Sequence, residues 1–161
     1  MKKITIIMMA VLLSTATITA CAGNNTPETK KETVAKKESP VEIIYFHGKQ
    51  RCMTCMAIEK ETKALVEGEL AKQVKAGKVK FHVVDFSTEE GKKIAAKYKV
   101  TFSSLFVVTP KGAEDLTRFA FANARSNAEG FRKELKDKVV KAIKLEIWNR
   151  HRQKEKKENH Y

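Results

Sequence analysis

The residues with the most evident chemistry are Cys52 and Cys55, which stand in Arg51-Cys52-Met53-Thr54-Cys55-Met56. A bridge closing so short a loop removes little chain entropy, so stabilisation explains the pair poorly. Reversible thiol chemistry explains it better. A thiolate attacks a disulfide, and a second thiol resolves the mixed disulfide that forms. Such a nucleophile is best placed at a helix start, where free backbone N–H groups and the positive end of the helix dipole stabilise the ionised sulfur. A lowered pKa is therefore expected for Cys52, with Arg51 as an adjacent cation and Lys49 adding to it. Cys55 falls one turn later on the same face, where it can attack the Cys52 sulfur.

A second chemistry fits the same residues. Beyond the first twenty positions the methionines are Met53 and Met56, both touching the motif. Cys52, Cys55 and Met56 lie at helical offsets zero, three and four, a soft sulfur set that would suit Cu(I). Alternatively the methionines form an adaptable apolar lip or simply pack, and no Met or Cys elsewhere supplies a second loop of ligands. His47, just upstream, either shuttles a proton near neutral pH or is an ordinary loop-edge residue.

The elements that must position these groups follow from hydrophobic pattern. Val41-Glu42-Ile43-Ile44-Tyr45-Phe46 reads as a buried strand, and His47-Gly48-Lys49-Gln50-Arg51 as the loop after it. Ile58, Thr62, Leu65, Val66, Leu70 and Val74 recur at three- and four-residue steps, predicting a helix that ends near Gly77, with Gly68 as a possible break. Residues 79–86 alternate and are β-branched, a second strand on which His82 is structural. Ser87 with Glu90 reads as a capping box for a short helix carrying Ile94, Ala95 and Tyr98. Residues 104–109 predict a third strand, and a turn at Pro110-Lys111-Gly112 leads to a fourth around residues 116–121. Ser126 with Glu129 caps a long last helix, with Phe131, Leu135, Val139, Ile143 and Ile147 at four-residue spacing and Trp148 in or near the core. Carried into the 150s, that helix would run roughly 40 Å and project its basic end into water.

The order is β-α-β-α-β-β-α, with the cysteine pair opening the first helix. Together with Tyr45-Phe46-His47-Gly48-Lys49-Gln50-Arg51-Cys52-Met53-Thr54-Cys55-Met56 and the downstream Tyr98-Lys99-Val100, it resembles the thioredoxin-like superfamily over Val41 to about Trp148. The resemblance implies an α/β fold with a central four-stranded mixed sheet, helices on both faces and an extended C-terminal helix. It also exposes two departures. The cis-proline usual before the third strand is replaced by Ser104, preceded by Ser103, with the prolines confined to Pro27, Pro40 and Pro110. A cis bond before serine would cost about 2.5 to 4 kcal/mol, so a trans bond and an altered substrate groove are expected there. In the wider family that proline helps keep metal off the cysteines. The buried acid that assists proton transfer would fall near Tyr45 or Phe46, and neither is acidic. Of Phe102 and Phe106, which flank the serines, one is expected to wall the dithiol and the other to enter the core.

The amino-terminal residues read as targeting rather than fold. Lys2 and Lys3, an apolar run over residues 4–13, and Ile18-Thr19-Ala20-Cys21 resemble a bacterial lipoprotein signal, residues 1–20, with Cys21 acylated. Cleavage after Ala22 is the ordinary alternative. Residues 21–40 are rich in Lys, Glu and Thr and read as a flexible tether, residues 41–149 as the domain, and 150–161 as a basic helix end and tail. Removing the leader would take two lysines and no acid from the 161-residue chain, lowering its formal charge from +13 to +11. Nucleic acid rarely meets an exported chain, so anionic lipid or acidic surfaces are the expected attraction and no nucleic-acid partner is expected.

These readings converge on a membrane-tethered thiol–disulfide oxidoreductase, of reductase or isomerase type, on the periplasmic or extracytoplasmic face. Cys52 and Cys55 would be catalytic and form the redox disulfide, with Arg51, His47, Ser103 and Ser104 in support. No cofactor is expected. The partners would be thiols and disulfides of exported proteins, a redox protein that resets the dithiol, and the membrane through the lipid anchor. The alternatives are a Cu(I)-binding protein using Cys52, Cys55 and Met56, and a non-catalytic domain that recruits a partner.

Overall fold

A computed structural model describes residues 40–158; the leader, most of the tether, Cys21 and the last three residues lie outside the described residues. The elements are β1 Val41–His47, α1 Met53–Glu67, α2 Ala71–Lys75, β2 Val79–Asp85, α3 Glu89–Lys97, β3 Ser104–Thr109, β4 Gly112–Asp115, α4 Thr117–Asn123 and α5 Ala128–Glu158. The sheet order is β2-β1-β3-β4. β1 runs parallel to β2 and antiparallel to β3, and β3 is antiparallel to β4. This is the mixed four-stranded sheet that the resemblance implies, with α2 and α4 as additional helices.

β1 is an interior strand with helices on both sides, which explains why Ile43, Ile44, Tyr45 and Phe46 are all large, buried side chains in succession instead of alternating with polar ones. Val41, Ile43 and Tyr45 join Ile58, Leu65, Leu70, Leu105 and Val107 in the larger core, closed by Phe131, Leu135 and Val139 of α5. Ile44 and Phe46 face the other way, toward Val84, Ala95 and Phe106. There Phe106 meets Phe46 edge to face at 5.9 Å and Tyr98 at 5.7 Å.

Several boundaries differ from the sequence expectations, each for a local reason. Gly68 does end the first helix: it is the C-cap of α1, its N–H bonded to Ala64, and α2 follows as a separate turn. The cap of α3 is Thr88 rather than Ser87, because the Ser87 side chain is held by Asp85 at 2.7 Å while Thr88 accepts from the Gly91 N–H. Asn127, not Ser126, accepts from the Gly130 N–H at the start of α5; Ser126 Oγ donates back to the Ala122 carbonyl.

The fourth strand is the largest correction. β4 is a four-residue exposed edge directly after the turn, pairing Gly112 with Thr109, and residues 117–123 are helical. Phe119 and Phe121 imitate strand alternation, but Thr117, Ala120 and Ala124 are buried at helical spacing. Asp115 accepts from the Thr117 N–H, and Thr117 Oγ1 accepts from the Leu105 N–H, so the chain turns off the sheet there. Phe119 then stacks on Phe131 at 5.6 Å.

α5 has 31 residues, about 46 Å at 1.5 Å per residue, far more than the sheet can cover. Arg132 pairs with Glu61 of α1, and Lys136 with Glu69 at 2.7 Å, along its packed half. Beyond Ile143 the packing fades. Trp148, expected in or near the core, is 52% exposed and carries the Arg152 guanidinium 3.6 Å above its ring. Among the described residues no helix is long and apolar enough to cross a membrane.

Candidate functional site

The loop from His47 to Arg51 leaves the end of β1 and delivers Cys52 in extended conformation (φ −78°, ψ 165°) as the N-cap of α1. An N-cap side chain ordinarily offers an oxygen to the first orphan N–H groups of the helix. Here the sulfur takes that place: Cys52 Sγ accepts from the Cys55 N–H at 3.2 Å. The first turn carries no acid, so no carboxylate competes for the dipole. Cys52 is exposed, whereas Cys55 is buried beneath it, and both are free cysteines. Their sulfurs stand 2.7 Å apart. The Cys52 thiol is lowered from its ordinary pKa, first by the hydrogen bond from the Cys55 thiol and then by backbone N–H groups of residues 52, 54 and 55.

Cys55 is held from two further sides. Ser103 lies across the site with its Oγ 3.6 Å from Cys55 Sγ. Ser104, expected to support the site, instead turns its hydroxyl onto the Phe102 carbonyl at 2.8 Å and is buried at the start of β3, paired in register with Phe46. Of the two flanking aromatics, Phe106 is the core residue and Phe102 is 61% exposed, beside Ser103. From below, the Tyr45 hydroxyl donates to the Cys55 carbonyl at 2.8 Å.

Tyr45 is the member that sequence reasoning missed. It occupies the strand position where an acid was sought, is fully buried, and has a phenol pKa pushed up to about 12, chiefly by burial and secondarily by the neighbouring Cys55 side chain. Arg51 spreads over its ring, 5.9 Å from the centroid, and pairs with Glu59, two turns into α1. The signal was present: a lone phenol in an apolar central strand needs a buried partner for its hydroxyl. Glu59, four residues past Cys55, shares its face.

His47 lies at the rim, partly buried, its ring 6.0 Å from Tyr45. Its Nδ1 is 2.9 Å from the Gly48 carbonyl, an acceptor, so the proton in that contact belongs to Nδ1. His82 stands on edge strand β2, largely exposed, 3.9 Å from Glu42 and remote in register from the dithiol end of β1. Met53 and Met56 are exposed on the first turn of α1, forming an apolar margin beside Cys52. Among the described residues no group of three or more His, Cys, Asp or Glu side chains converges as a metal-binding set. A groove of about 680 Å³ between β4 and α5, with Val107, Ala142 and Leu145 in its lining, lies apart from the cysteines.

No protein-family model matches the chain, and no curated protein does. Among solved structures it is similar to the X-ray structure of Fasciola hepatica thioredoxin, at 17% identity over 66% of this chain and 85% of that one, with a TM-score of 0.44. It is also similar to a structure described as a malarial protein, at 18% identity over 52% of this chain and 93% of that one, with a TM-score of 0.35. Strand order, strand directions and the placement of Cys52 at the first helix start are this chain's own features, and they make the described domain a thioredoxin-like α/β fold.

Proposed function

We propose that this protein is a thiol–disulfide oxidoreductase, of reductase or isomerase type, tethered to a membrane and acting on exported proteins. The observation that carries the reading is the pairing of an exposed, helix-capping Cys52 with a buried Cys55 directly beneath it. One sulfur meets substrate and the other waits to resolve.

In the reductase direction, the Cys52 thiolate attacks one sulfur of a substrate disulfide. The substrate S–S bond breaks, a Cys52–substrate disulfide forms, and the departing thiolate takes up a proton. Cys55, losing its proton, then attacks Cys52 Sγ and releases the second substrate thiol. Two electrons and two protons have passed to the substrate, and the Cys52–Cys55 disulfide must be reduced by a dithiol protein before another cycle. Burial protects Cys55 from direct attack, while Ser103 and Tyr45 hold it in line with Cys52. Met53, Met56 and Phe102 offer apolar surface to an unfolded or extended polypeptide.

The tether belongs to the same proposal: lipid on Cys21 and a polar linker would keep the domain within some tens of ångströms of the bilayer. In the full-length chain, Cys55→Ser should accumulate mixed disulfides with exported proteins and Cys52→Ser should accumulate none. Both should lose disulfide-reducing activity, and retention of full activity by either variant rejects the mechanism. Cys21→Ser should abolish lipid labelling and release the protein from the membrane fraction; persistent labelling rejects the anchor.

A further inference from the structure

We propose that Arg51 sets the charge around the dithiol: held over the Tyr45 ring, its guanidinium pairs with Glu59 and cancels the acid on the cysteine face of α1. The inference rests on the dithiol reading above and assigns a role to a set of residues, Tyr45, Arg51 and Glu59, that the exchange chemistry does not itself require.

Arg51 is the residue immediately before the N-cap, so its side chain could have extended over the exposed sulfur as a simple cation. It does not. The guanidinium pairs with Glu59 and covers the face of a fully buried tyrosine whose hydroxyl holds the Cys55 carbonyl. Its Nε is buried without a hydrogen-bond partner, so ion pair and ring contact fix it in place of solvent. The three side chains join the end of β1, the active loop and the second turn of α1 into one unit around the dithiol.

The charges make this arrangement consequential. Glu59 is one helical turn past Cys55 on the same face, where side chains are about 5 to 6 Å apart at Cβ. An unpaired carboxylate there would oppose ionisation of either cysteine, working against the helix dipole. Beside the cysteines the other charged or titratable groups are His47 at the end of β1, Lys49 in the loop and Asp85 at the end of β2; farther along α1, Glu61 is engaged by Arg132 and Lys60, and Lys63 lies by Glu67, while Glu42 at the far end of β1 faces His82. Asp85 is already engaged by Ser87 through its backbone N–H and its hydroxyl. Glu59 is thus the acid whose neutralisation falls to Arg51. Arginine suits this task better than lysine, because its planar group can pair at one edge and lie against a ring on its face at the same time.

Opposite signs from two variants separate this electrostatic role from a merely structural one. In the full-length reduced protein, Arg51→Met exposes the Glu59 charge and should slow alkylation of Cys52 by iodoacetamide about 3- to 10-fold at a fixed pH below its pKa. Glu59→Gln frees the arginine and should accelerate it. The double variant should return close to the wild-type rate, and the Cys52–Cys55 reduction potential, read against glutathione, should move and recover in the same pattern. If both single variants slow alkylation, or neither changes it while circular dichroism and urea midpoints show folded protein, the proposal is overturned. These readouts need no substrate. Loss of the exchange mechanism would instead show as activity retained without Cys52 or Cys55, so the two failures are distinguishable.

Discussion

Removing the Tyr45 hydroxyl gives a test of the buried dithiol support that can be worked through quantitatively. Tyr45 is fully buried and its hydroxyl donates to the Cys55 carbonyl, so Tyr45→Phe deletes one buried hydrogen bond without opening a large cavity. At pH 8 the cost should be about 1 kcal/mol. The phenol also titrates. Its pKa is about 12 in the folded protein against about 10 when unfolded, so between those values the folded state keeps a proton that the unfolded state has released. Tyr45 therefore stabilises the fold fully below pH 10 and that contribution is lost as pH rises through 12. A difference of about two units corresponds to roughly 2.7 kcal/mol in all, about half of it gone by pH 11. Phenylalanine has no such term, and the titrations of other groups are shared by both proteins. Urea unfolding of the two reduced proteins at pH 8, 10 and 11 should show Tyr45→Phe less stable at pH 8 and level with wild type near pH 11. A gap that stays constant across that range would show that burial does not hold this phenol in its neutral form.

Two further predictions concern the backbone at the two ends of α3. Gly91 sits where the start of α3 passes the end of β2, and a Cβ there would fall 1.9 Å from the Asp85 carbonyl oxygen; Gly91→Ala should therefore lose about 2 kcal/mol or more despite the better helix propensity of alanine, and an unchanged urea midpoint would refute the close approach. Lys99 follows the C-cap of α3 with φ of 55°, a left-handed conformation that costs a residue with a Cβ about 1 to 2 kcal/mol; Lys99→Gly should raise the thermal midpoint, corresponding to about 0.5 to 1 kcal/mol, and a lower midpoint would refute the strain.

The parts of this fold legible in the sequence are those encoded by pattern over many residues. The apolar run Ile43 to Phe46 of β1 and the long stripe of α5 predict elements that form where expected, whereas the recurrence from Ile58 to Val74 predicts a helix to near Gly77 that is divided at Gly68 into α1 and α2. Positions decided by one or two side chains were less legible. Ser87 and Thr88 are both competent caps, and the choice fell to Thr88 because Asp85 captures the Ser87 hydroxyl. Residues 117–121 alternate like a strand, yet the hairpin places β4 directly after its turn, and a helix lets Thr117 and Ala120 reach the core. Trp148 continues an apolar stripe beyond the point where any sheet remains to receive it.

The cysteine spacing carried the chemistry on its own, because two thiols one helical turn apart after a strand have few uses other than meeting each other. Cys52 as attacking sulfur and Cys55 as resolving sulfur follow from their order at a helix start, whereas the burial of Cys55 came only with packing. What surrounds them depended on chain segments distant in sequence arriving at one place. Tyr45 had to be turned inward beneath α1 by the strand's alternation, Ser103 brought within 3.6 Å of a cysteine 48 residues earlier, and Arg51 drawn toward Glu59 rather than the exposed sulfur. Side-chain direction and burial set those contacts, and both exist only once the sheet and helices have packed.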